Sequence, residues 1–312
     1  MSKQDSRIYT NLSALLALRE DSRHLSLSPR FRPAGMLSGR HASRIKGRGL
    51  NFEELRQYQA GDNIRQIDSR VSARLGKPYV RVYSEETDRP VHIVVDQRLP
   101  MFFGSQVNTK SVTAAQLAAL LAWQVFDGGD RVGGAVIGCR GTVQMSPKRS
   151  SHNVIHLLEA IVTANNQLDL ASLKNGKEST ITSSLLSQVR PLVTTLNSQS
   201  VMILITDIEG VEIEELAELE VLSQKSNVLL FVIQDPLEDD LTAAHGLSVS
   251  HGEQQINIQA SAQNQQKYDD LYQQRLASLK KATLTSALPV GLVNTYEPVI
   301  TQLSRLLMGE PA

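Results

Sequence analysis

The chain has 312 residues, of which 41% are hydrophobic and 21% are charged, so it is long enough for about two domains with an ordinary globular core. Its formal net charge is zero, but residues 1–90 carry a net charge of +7 and residues 91–312 carry −7. One cysteine excludes an internal disulfide, and the sequence has neither a signal-peptide pattern nor an apolar run of roughly 20 residues. We therefore expect a cytoplasmic protein without a transmembrane segment.

Residues 1–89 are predicted to form an irregular, basic N-terminal region. Leucines at helical spacing predict an amphipathic helix over residues 11–20. The basic arm, residues 22–52, holds seven lysines and arginines and no acid, and its frequent glycines and prolines predict mostly loop. After the arm, residues 52–59 are compatible with a short helix, and residues 79–83 alternate like a strand.

From Val91 onward, apolar strands alternate with helices. The predicted elements are, in chain order, a strand at 92–96, a helix at 113–126, a hairpin of 131–138 with 142–145, a helix at 152–162, a helix at 182–196 broken near Pro191, a strand at 201–206, an acidic helix at 211–222 and a strand at 228–233. Buried strands separated by helices predict a Rossmann-like, doubly wound and mostly parallel sheet with both faces covered, over residues 90–245.

Residues 246–312 are predicted to be a small α/β extension that packs on this domain. Two short strands are expected within residues 247–258, and a glutamine-rich polar helix within residues 264–284. A strand at 290–293 and a helix at 298–308 follow.

Three carboxylates stand at the ends of predicted strands, namely Asp96, Asp207 and Asp235. In open parallel sheets, ligands bind beyond the carboxyl ends of the strands. These aspartates are therefore the main candidate site of the chain. Asp130 instead precedes a strand, which predicts a position at the opposite end of the sheet.

Two segments resemble a widespread bacterial family. The longer and more specific one runs from Gly47 to Arg74 and contains the string Gly61-Asp62-Asn63-Ile64-Arg65-Gln66-Ile67-Asp68. The other is the strand ending in Asp96, followed downstream by Gly129-Asp130-Arg131-Val132-Gly133. Together, over about residue 37 to the C-terminus, they resemble the family called domain of unknown function 58, which has a von Willebrand A-like domain and is often encoded beside MoxR-type AAA+ ATPases. One departure is Ser69, where the family usually has an aromatic residue.

The family-motif candidates are Gly61, Asp62, Arg65, Asp68 and Arg74. Arginine suits bidentate recognition of a phosphate or of an acidic partner. We favour the simpler interpretation, in which these charges pair with one another inside the segment.

The resemblance implies a protein-binding or scaffolding role beside an AAA+ ATPase, with a possible divalent-ion site. In von Willebrand A domains that site uses Asp-x-Ser-x-Ser after the first strand, a threonine and a second aspartate. Here Asp96 is kept, Arg98 and Pro100 stand at the two serine positions, and Asp207 matches the second aspartate. The threonine stays open between Thr180 and Thr182.

The substitutions at the serine positions argue against a bound ion. Mg²⁺ needs about six oxygen ligands, whereas proline has no hydroxyl and arginine only donates hydrogen bonds. In an extended loop Asp96 and Arg98 point to the same side. We therefore hypothesise that Asp96, Arg98 and Asp207 form a metal-free, partner-binding pocket in which Arg98 is an internal cation. The alternatives are an exposed Arg98 and, more weakly, a retained Mg²⁺.

The leading functional prediction is a non-enzymatic interaction module that acts with a MoxR-type AAA+ ATPase and has no catalytic residues. The first alternative is a metal-dependent hydrolase in which Asp96 and Asp207 hold the ion. The second is a nucleic-acid binder that uses the basic arm, although only Phe31 and Phe52 supply aromatic rings there. Peripheral contact of the arm with an acidic membrane surface also stays open.

Three other patterns are better explained by structure than by chemistry. His152, His156 and Glu159 share a helix face at metal-ligand spacing, but Asn153 stands where a metalloprotease helix has its catalytic glutamate, and a solvated polar face is the better explanation. Cys139 is interpreted as a buried structural thiol. Residues 207–240 hold eleven acids and one base, which predicts a solvated face or a docking surface for a basic partner.

Overall fold

A computed structural model describes residues 5–25, 50–59, 62, 64, 67–85, 88–168, 184–239, 248–250, 255–257, 266, 270–279, 281 and 288–308. The chain divides into two units. The small unit comprises residues 38–88, and the large unit comprises residues 1–37 and 89–312. Among the described residues, no helix is both long enough and apolar enough to cross a membrane.

The strands form one large sheet and two small ones. They are β1 (Leu50–Gln57), β2 (Tyr79–Glu85), β3 (Pro90–Gln97), β4 (Arg131–Gly138), β5 (Gly141–Lys148), β6 (Val201–Asp207), β7 (Asn227–Gln234), β8 (Ser248–Ser250), β9 (Gln255–Asn257) and β10 (Val290–Asn294).

Most helices lie close to the predicted positions, but the second and the eighth of those given next were not predicted. They are α1 (Leu12–Arg23), α2 (Ser69–Leu75), α3 (Lys110–Asp127), α4 (Ser151–Asn166), α5 (Leu185–Gln188), α6 (Arg190–Val193), α7 (Ile213–Lys225), α8 (Pro236–Asp239), α9 (270–279) and α10 (Val299–Met308). A short 3-10 helix, Leu99–Met101, follows β3. The sequence encodes several of these starts, since the side chain of Asn11 accepts the Ala14 N–H at α1, and that of Thr109 accepts the Val112 N–H at α3.

The large unit is built on a six-stranded sheet with the order β10-β7-β6-β3-β4-β5. All neighbouring pairs are parallel except β4 with β5, which form the predicted hairpin. The central strands β3 and β6 are almost completely buried, because helices cover both faces. The prediction of a Rossmann-like, mostly parallel α/β sheet is confirmed.

Two apolar clusters fill the space between the sheet and its helices. On one face, Val91, Ile93 and Val95 of β3 pack with apolar residues of α1, α3, α4 and α10. On the other face, Val94 packs in a cluster that includes residues of α5, α6, α7 and α9. Because successive residues of a strand face opposite sides, one strand supplies both cores.

The structure changes three details of the predicted organisation. Residues 52–59, considered as a helix, belong mostly to strand β1, because pairing with β2 outweighs local helix propensity. Helix α1 packs on α3 through the fully buried Leu15, and both helices belong to the large unit. The C-terminal segment contributes β10, which extends the main sheet beside β7.

Candidate functional site

The candidate site lies at the point in the sheet where the strand order reverses. The chain passes from β3 through α3 to β4 on one side of β3, whereas β6 pairs with β3 on its other side. Such a switch point leaves a crevice at the carboxyl ends of the two central strands. Asp96 is the residue before the last of β3, and Asp207 ends β6, so the topology brings both predicted residues to this crevice.

Asp96 is paired with Arg98 in a closed, buried ion pair. The guanidinium donates from Nε to Asp96 Oδ1 at 2.9 Å and from Nη2 to Oδ2 at 2.7 Å. The backbone N–H of Arg98 donates to Oδ1 at 2.9 Å, and the Thr206 hydroxyl donates to Oδ2 at 2.8 Å. Only 1% of Asp96 and 6% of Arg98 is exposed. Arg98 is therefore an internal cation in the geometry of this loop, and not an exposed side chain.

The protonation of Arg98 follows from this geometry. Burial by itself lowers the pKa of the guanidinium, but the hydrogen bonds and negative charge of Asp96 outweigh it, so the pKa is raised above its ordinary value. The guanidinium is charged at every physiological pH. It also lies 3.4 Å from the carbonyl oxygen of Gly210, to which Nη2 donates, and this links the β3 loop to the loop after β6.

Asp207 is held by a second internal cation, Lys110. The ammonium donates to Asp207 Oδ2 at 2.7 Å and to Glu238 Oε1 at 2.5 Å, and only 2% of Lys110 is exposed. Burial alone lowers the pKa of the lysine, yet the two carboxylates raise it well above its ordinary value. Burial raises the pKa of Glu238, against the opposing effect of Lys110. The buried cluster thus joins the start of α3 to the ends of β6 and β7.

Sequence reasoning missed Lys110, although one signal points to it. Lys110 is the first residue of α3, a helix that is otherwise almost wholly buried and apolar. A cation at a helix N-terminus is unfavourable toward the helix dipole. A lysine there, at the start of an apolar helix, indicates a compensating carboxylate elsewhere in the fold.

Asp235, the third of the strand-end aspartates, has hydrogen-bond partners on both carboxylate oxygens, and these partners are hydroxyl and backbone N–H groups rather than a cation. Its Oδ2 accepts the Ser105 N–H at 2.9 Å and the Thr295 hydroxyl at 2.6 Å. Its Oδ1 accepts the Ser105 hydroxyl and, at 3.1 Å, the Leu237 N–H. The carboxylate therefore fastens the loops that follow β3 and β10 to the end of β7.

These residues do not fit a divalent cation. Both oxygens of Asp96 are occupied by Arg98 and Thr206, and Asp207 Oδ2 is occupied by Lys110. Asp207 Oδ1 is buried and has no hydrogen-bond partner, so these two aspartates leave one oxygen where Mg²⁺ needs about six. Two buried cations beside it would also repel the ion. Across the described ranges, no group of three or more histidine, cysteine or acidic side chains is arranged to hold a metal.

Cys139 does not supply a reactive nucleophile to the site. It follows β4 and is partly buried. Burial raises the pKa of the thiol, and the negative charge of Asp96 raises it further. A thiol with a raised pKa stays protonated and is a poor nucleophile at neutral pH.

The remaining predicted residues lie away from the switch point. Asp130 accepts the Arg89 N–H at 2.9 Å at the amino end of the sheet, as expected from its place before a strand. His152 and His156 are exposed on α4. The strand-end site thus consists of Asp96, Arg98 and Asp207 together with Lys110 and the residues that hold them.

The family-motif candidates lie in the small unit, where Asp62 and Asp68 have structural partners. Asp62 accepts two hydrogen bonds from Arg56, at 2.9 and 2.6 Å, which hold the pKa of its carboxyl below the ordinary value. Asp68 caps α2 by accepting the N–H groups of the two residues after Ser69 at 3.0 Å. Arg74 is exposed on α2.

Some predictions lie outside the described residues. Gly61 and Arg65 of the motif belong here, as do Thr180 and Thr182 and most of the basic arm, residues 22–52. The nucleic-acid and membrane interpretations of the arm therefore stay predictions.

Comparison with known proteins identifies the family. A family model described as "Protein of unknown function DUF58" matches residues 54–281, which is more than half of the chain. The chain belongs to this family. The match includes part of the small unit and most of the large one, including the strand-end site.

Three mycobacterial relatives show a partial likeness. They are uncharacterized proteins Mb1516 of Mycobacterium bovis and MT1527 and Rv1480 of two Mycobacterium tuberculosis strains. Each is 32% identical over 142 residues, which cover 45% of this DUF58 chain and 44% of the relative. The aligned stretch thus spans less than half of each relative.

Proposed function

We propose that this DUF58 chain is a non-enzymatic protein-interaction module whose partner surface is the carboxyl end of the six-stranded sheet. A von Willebrand A-like domain would use the same end of its sheet. In this proposal the carboxylates have a structural role, because they hold the loops that a partner contacts. Internal cations in turn hold the carboxylates.

The observation that carries the proposal is the internal pairing of Asp96 with Arg98 and of Asp207 with Lys110. A hydrolase that used this pocket would need a free carboxylate, a metal or an activated nucleophile to orient water. Here the carboxylates are engaged by charged side chains from the same chain. Such pairs fix loop geometry, which is what a binding surface requires.

The rim of the strand-end site offers apolar contact area. Val107 is 46% exposed in the loop between β3 and α3, two residues after the Ser105 that Asp235 holds. Tyr296 is 44% exposed in the loop after β10. Exposed aromatic and aliphatic side chains on loops with fixed backbones are typical of protein-binding surfaces.

For the partner, we propose an AAA+ ATPase of the MoxR type, acting in the cytoplasm. Support for this partner comes from the family to which the chain belongs and from the resemblance given above. The single cysteine is compatible with a reducing compartment.

The test is direct binding between the full chain and a purified MoxR-type ATPase of the same organism. Biolayer interferometry with ATP or ADP present would compare the wild type with Val107→Arg at the strand-end rim. Val221→Arg is the matched control, because Val221 is 51% exposed on the second half of α7, away from the carboxyl ends.

We expect Val107→Arg to weaken binding at least about tenfold, as for a residue central to an interface, and Val221→Arg to leave it unchanged. Equal binding by both variants would place the interface elsewhere on the molecule. Failure of the wild type to bind the ATPase in either nucleotide state would refute the proposed partner.

A further inference from the structure

Strand β10 forms one outer edge of the six-stranded sheet. It stands at the end of the strand order next to β7, and no other strand of the described ranges pairs with it. An open strand edge presents backbone N–H and C=O groups, and some proteins bind an extended partner segment by pairing with them. What this edge can bind therefore depends on which backbone groups point outward and on what lies beside them.

The direction of the backbone groups of β10 follows from two hydrogen bonds at its ends. The C=O of Pro289 accepts the Leu230 N–H at 3.0 Å. The N–H of Thr295 donates to the Gln234 C=O at 3.1 Å, so both groups point toward β7. The N–H and C=O of one residue point to the same side of a strand, and those of the next residue point to the other side. The residues of β10 that point outward are therefore Val290, Leu292 and Asn294.

Asn294 shows how one of these outward positions is paired. Its N–H donates to Gln302 Oε1 at 2.7 Å, and Gln302 Nε2 donates to its C=O at 3.0 Å. The buried amide of Gln302, on α10, thus makes the pair of bonds that one residue of an added antiparallel strand would make. Leu292 points outward in the same way two residues earlier, and no described residue bonds to its N–H or C=O.

A cavity of about 330 Å³ lies at this edge, and we call it the edge groove. Leu292 and Val293 line it from β10, although their side chains belong to the apolar clusters on opposite faces of the sheet. Its walls also come from both faces, with Tyr272 and Leu276 of α9 on one side and Leu306 of α10 on the other. A cavity bounded by helices from both faces lies beyond the outer strand.

The edge groove follows β10 backward from its carboxyl end. Helix α10 meets the strand at two levels, because Gln302 bonds to Asn294 and Leu306 packs beside Gly291. Leu292 lies between these levels. The groove is recessed between α9 and α10, so a single extended segment can reach the strand. A second copy of this chain would bring the same two helices to its own edge, and they would collide before the strands could pair.

The acidic and basic side chains that line the groove are already engaged within the chain. Asp235 is held by hydroxyl and backbone donors, and Glu297 forms an ion pair with Arg305. The walls on both faces of the strand are apolar or aromatic. A segment in the groove would therefore place apolar side chains at successive positions, as in a strand that is buried on both faces.

We propose that the edge groove binds an extended, apolar segment of a partner protein, which joins the sheet as a further strand by pairing its backbone with Leu292. This inference goes beyond the function proposed above. Backbone pairing at β10 requires neither the MoxR-type partner nor the surface around Val107.

Hydrogen exchange of the ¹⁵N-labelled full chain, followed by NMR, tests whether the edge is open. The Leu292 N–H should exchange at least about tenfold faster than the N–H groups of Gly291 and Val293, which point toward β7. A Leu292 N–H that exchanges as slowly as these two would mean that the edge is already covered, and the proposal would be wrong.

Peptide display tests binding at the open edge. Peptides of about seven random residues are selected on the wild-type chain and depleted on Leu292→Pro, because proline removes the outward N–H and is tolerated in edge strands. We expect apolar peptides that protect the Leu292 N–H from exchange and bind Leu292→Pro at least about tenfold more weakly. Leu292→Ile keeps the N–H and the side-chain volume, so it is the matched control and should bind within about threefold of the wild type.

Methylation of the peptide backbone tests the same pairing without a substitution in the chain. A selected peptide is N-methylated at one residue at a time, and methylation at the residues that face β10 should weaken binding at least about tenfold. Circular dichroism shows whether Leu292→Pro is folded, and if it is not, the methylated peptides and the exchange data decide.

Three results would overturn the proposal. The first is a selection that yields no peptide whose binding protects the Leu292 N–H. The second is equal binding by every methylated peptide, which would mean that side chains alone are recognised. The third is a wild-type chain that is dimeric in sedimentation while a folded Leu292→Pro variant is monomeric, which would assign the edge to a second copy.

Discussion

The two ends of the central sheet treat their buried polar groups differently. At the carboxyl end, Asp96 and Asp235 have partners on both oxygens, and Asp207 shares Lys110 with Glu238. At the amino end, His92 lines a cavity, and its Nδ1 is buried without a hydrogen-bond partner. The charges at the first end are paired within the chain, whereas the second end buries a histidine whose pKa is lowered to about 4, which favours the neutral imidazole.

The two ends therefore differ in how their buried groups are charged and paired. Aspartates at the carboxyl ends of strands are the first candidates for a binding site, because ligands of parallel sheets usually bind there. In this chain two of the three aspartates, Asp96 and Asp207, are paired with its own cations, and Asp235 accepts hydrogen bonds from hydroxyl and backbone donors. Each end also buries one polar atom without a hydrogen-bond partner, Asp207 Oδ1 at the carboxyl end and His92 Nδ1 at the amino end.

The largest predicted effect is the loss of the cation at the carboxyl end. Lys110→Met should lower the free energy of unfolding by roughly 3–5 kcal/mol, because it leaves two buried carboxylates without their cation. Urea denaturation would measure it. The control is Lys225→Met at an exposed lysine, which should change stability by about 0.5 kcal/mol or less. A loss below about 1 kcal/mol for Lys110→Met would mean that the cluster does not hold the site.

The next effect concerns the amino end and its dependence on pH. His92 has its pKa lowered from 6.5 to about 4 in the folded chain, so its neutral form is favoured by folding. The resulting stability is present above pH 6.5 and is lost as the pH falls toward 4. Between about pH 7 and pH 5, this histidine should account for roughly 2 kcal/mol of lost unfolding free energy.

Urea denaturation at the two pH values would check this, with His92→Phe in comparison. The variant should lose less stability than the wild type over the same interval, and His156→Phe, at an exposed histidine, should behave as the wild type. An identical pH dependence of the wild type and His92→Phe would show that His92 is not buried in its neutral form.

The smallest effect tests the hydrogen bond that completes Asp96. Thr206→Val keeps the shape of the fully buried side chain but removes the hydroxyl that donates to Asp96 Oδ2 at 2.8 Å. We expect a loss of about 1.5 kcal/mol in unfolding free energy, as for a hydrogen bond to a charged group. Thr194→Val, at an exposed threonine of similar chemistry, should change stability by less than about 0.5 kcal/mol. Equal effects of the two variants would remove Thr206 from the site.

Most of the large unit could be predicted from the sequence, because its elements are encoded locally. The continuous apolar runs of β3, β6 and β7 indicate strands buried on both faces, and the intervening helices indicate their parallel arrangement. Strand β1 could not be predicted in this way. Its strand form depends on pairing with β2, which lies more than twenty residues further along the chain.

The candidate site shows the same limit. Asp96 and Arg98 are two residues apart, so extended geometry alone predicts that they meet, and they do. Lys110 and Asp207 are 97 residues apart, and only the order of the strands brings them together. The sequence could not predict that His92 Nδ1 lacks a hydrogen-bond partner either, because a missing partner is a property of the packed structure.

The central claim is that the chain's own cations occupy the carboxylates at the carboxyl end of the sheet. Calorimetric titration of the wild-type chain with Mg²⁺ and Mn²⁺ tests it directly, because it measures whether those carboxylates bind a divalent ion. The structure predicts no saturable heat up to millimolar concentrations of either ion, because Arg98 and Lys110 occupy the carboxylates. Binding at millimolar affinity or tighter that disappears in a folded Asp96→Asn variant would contradict it.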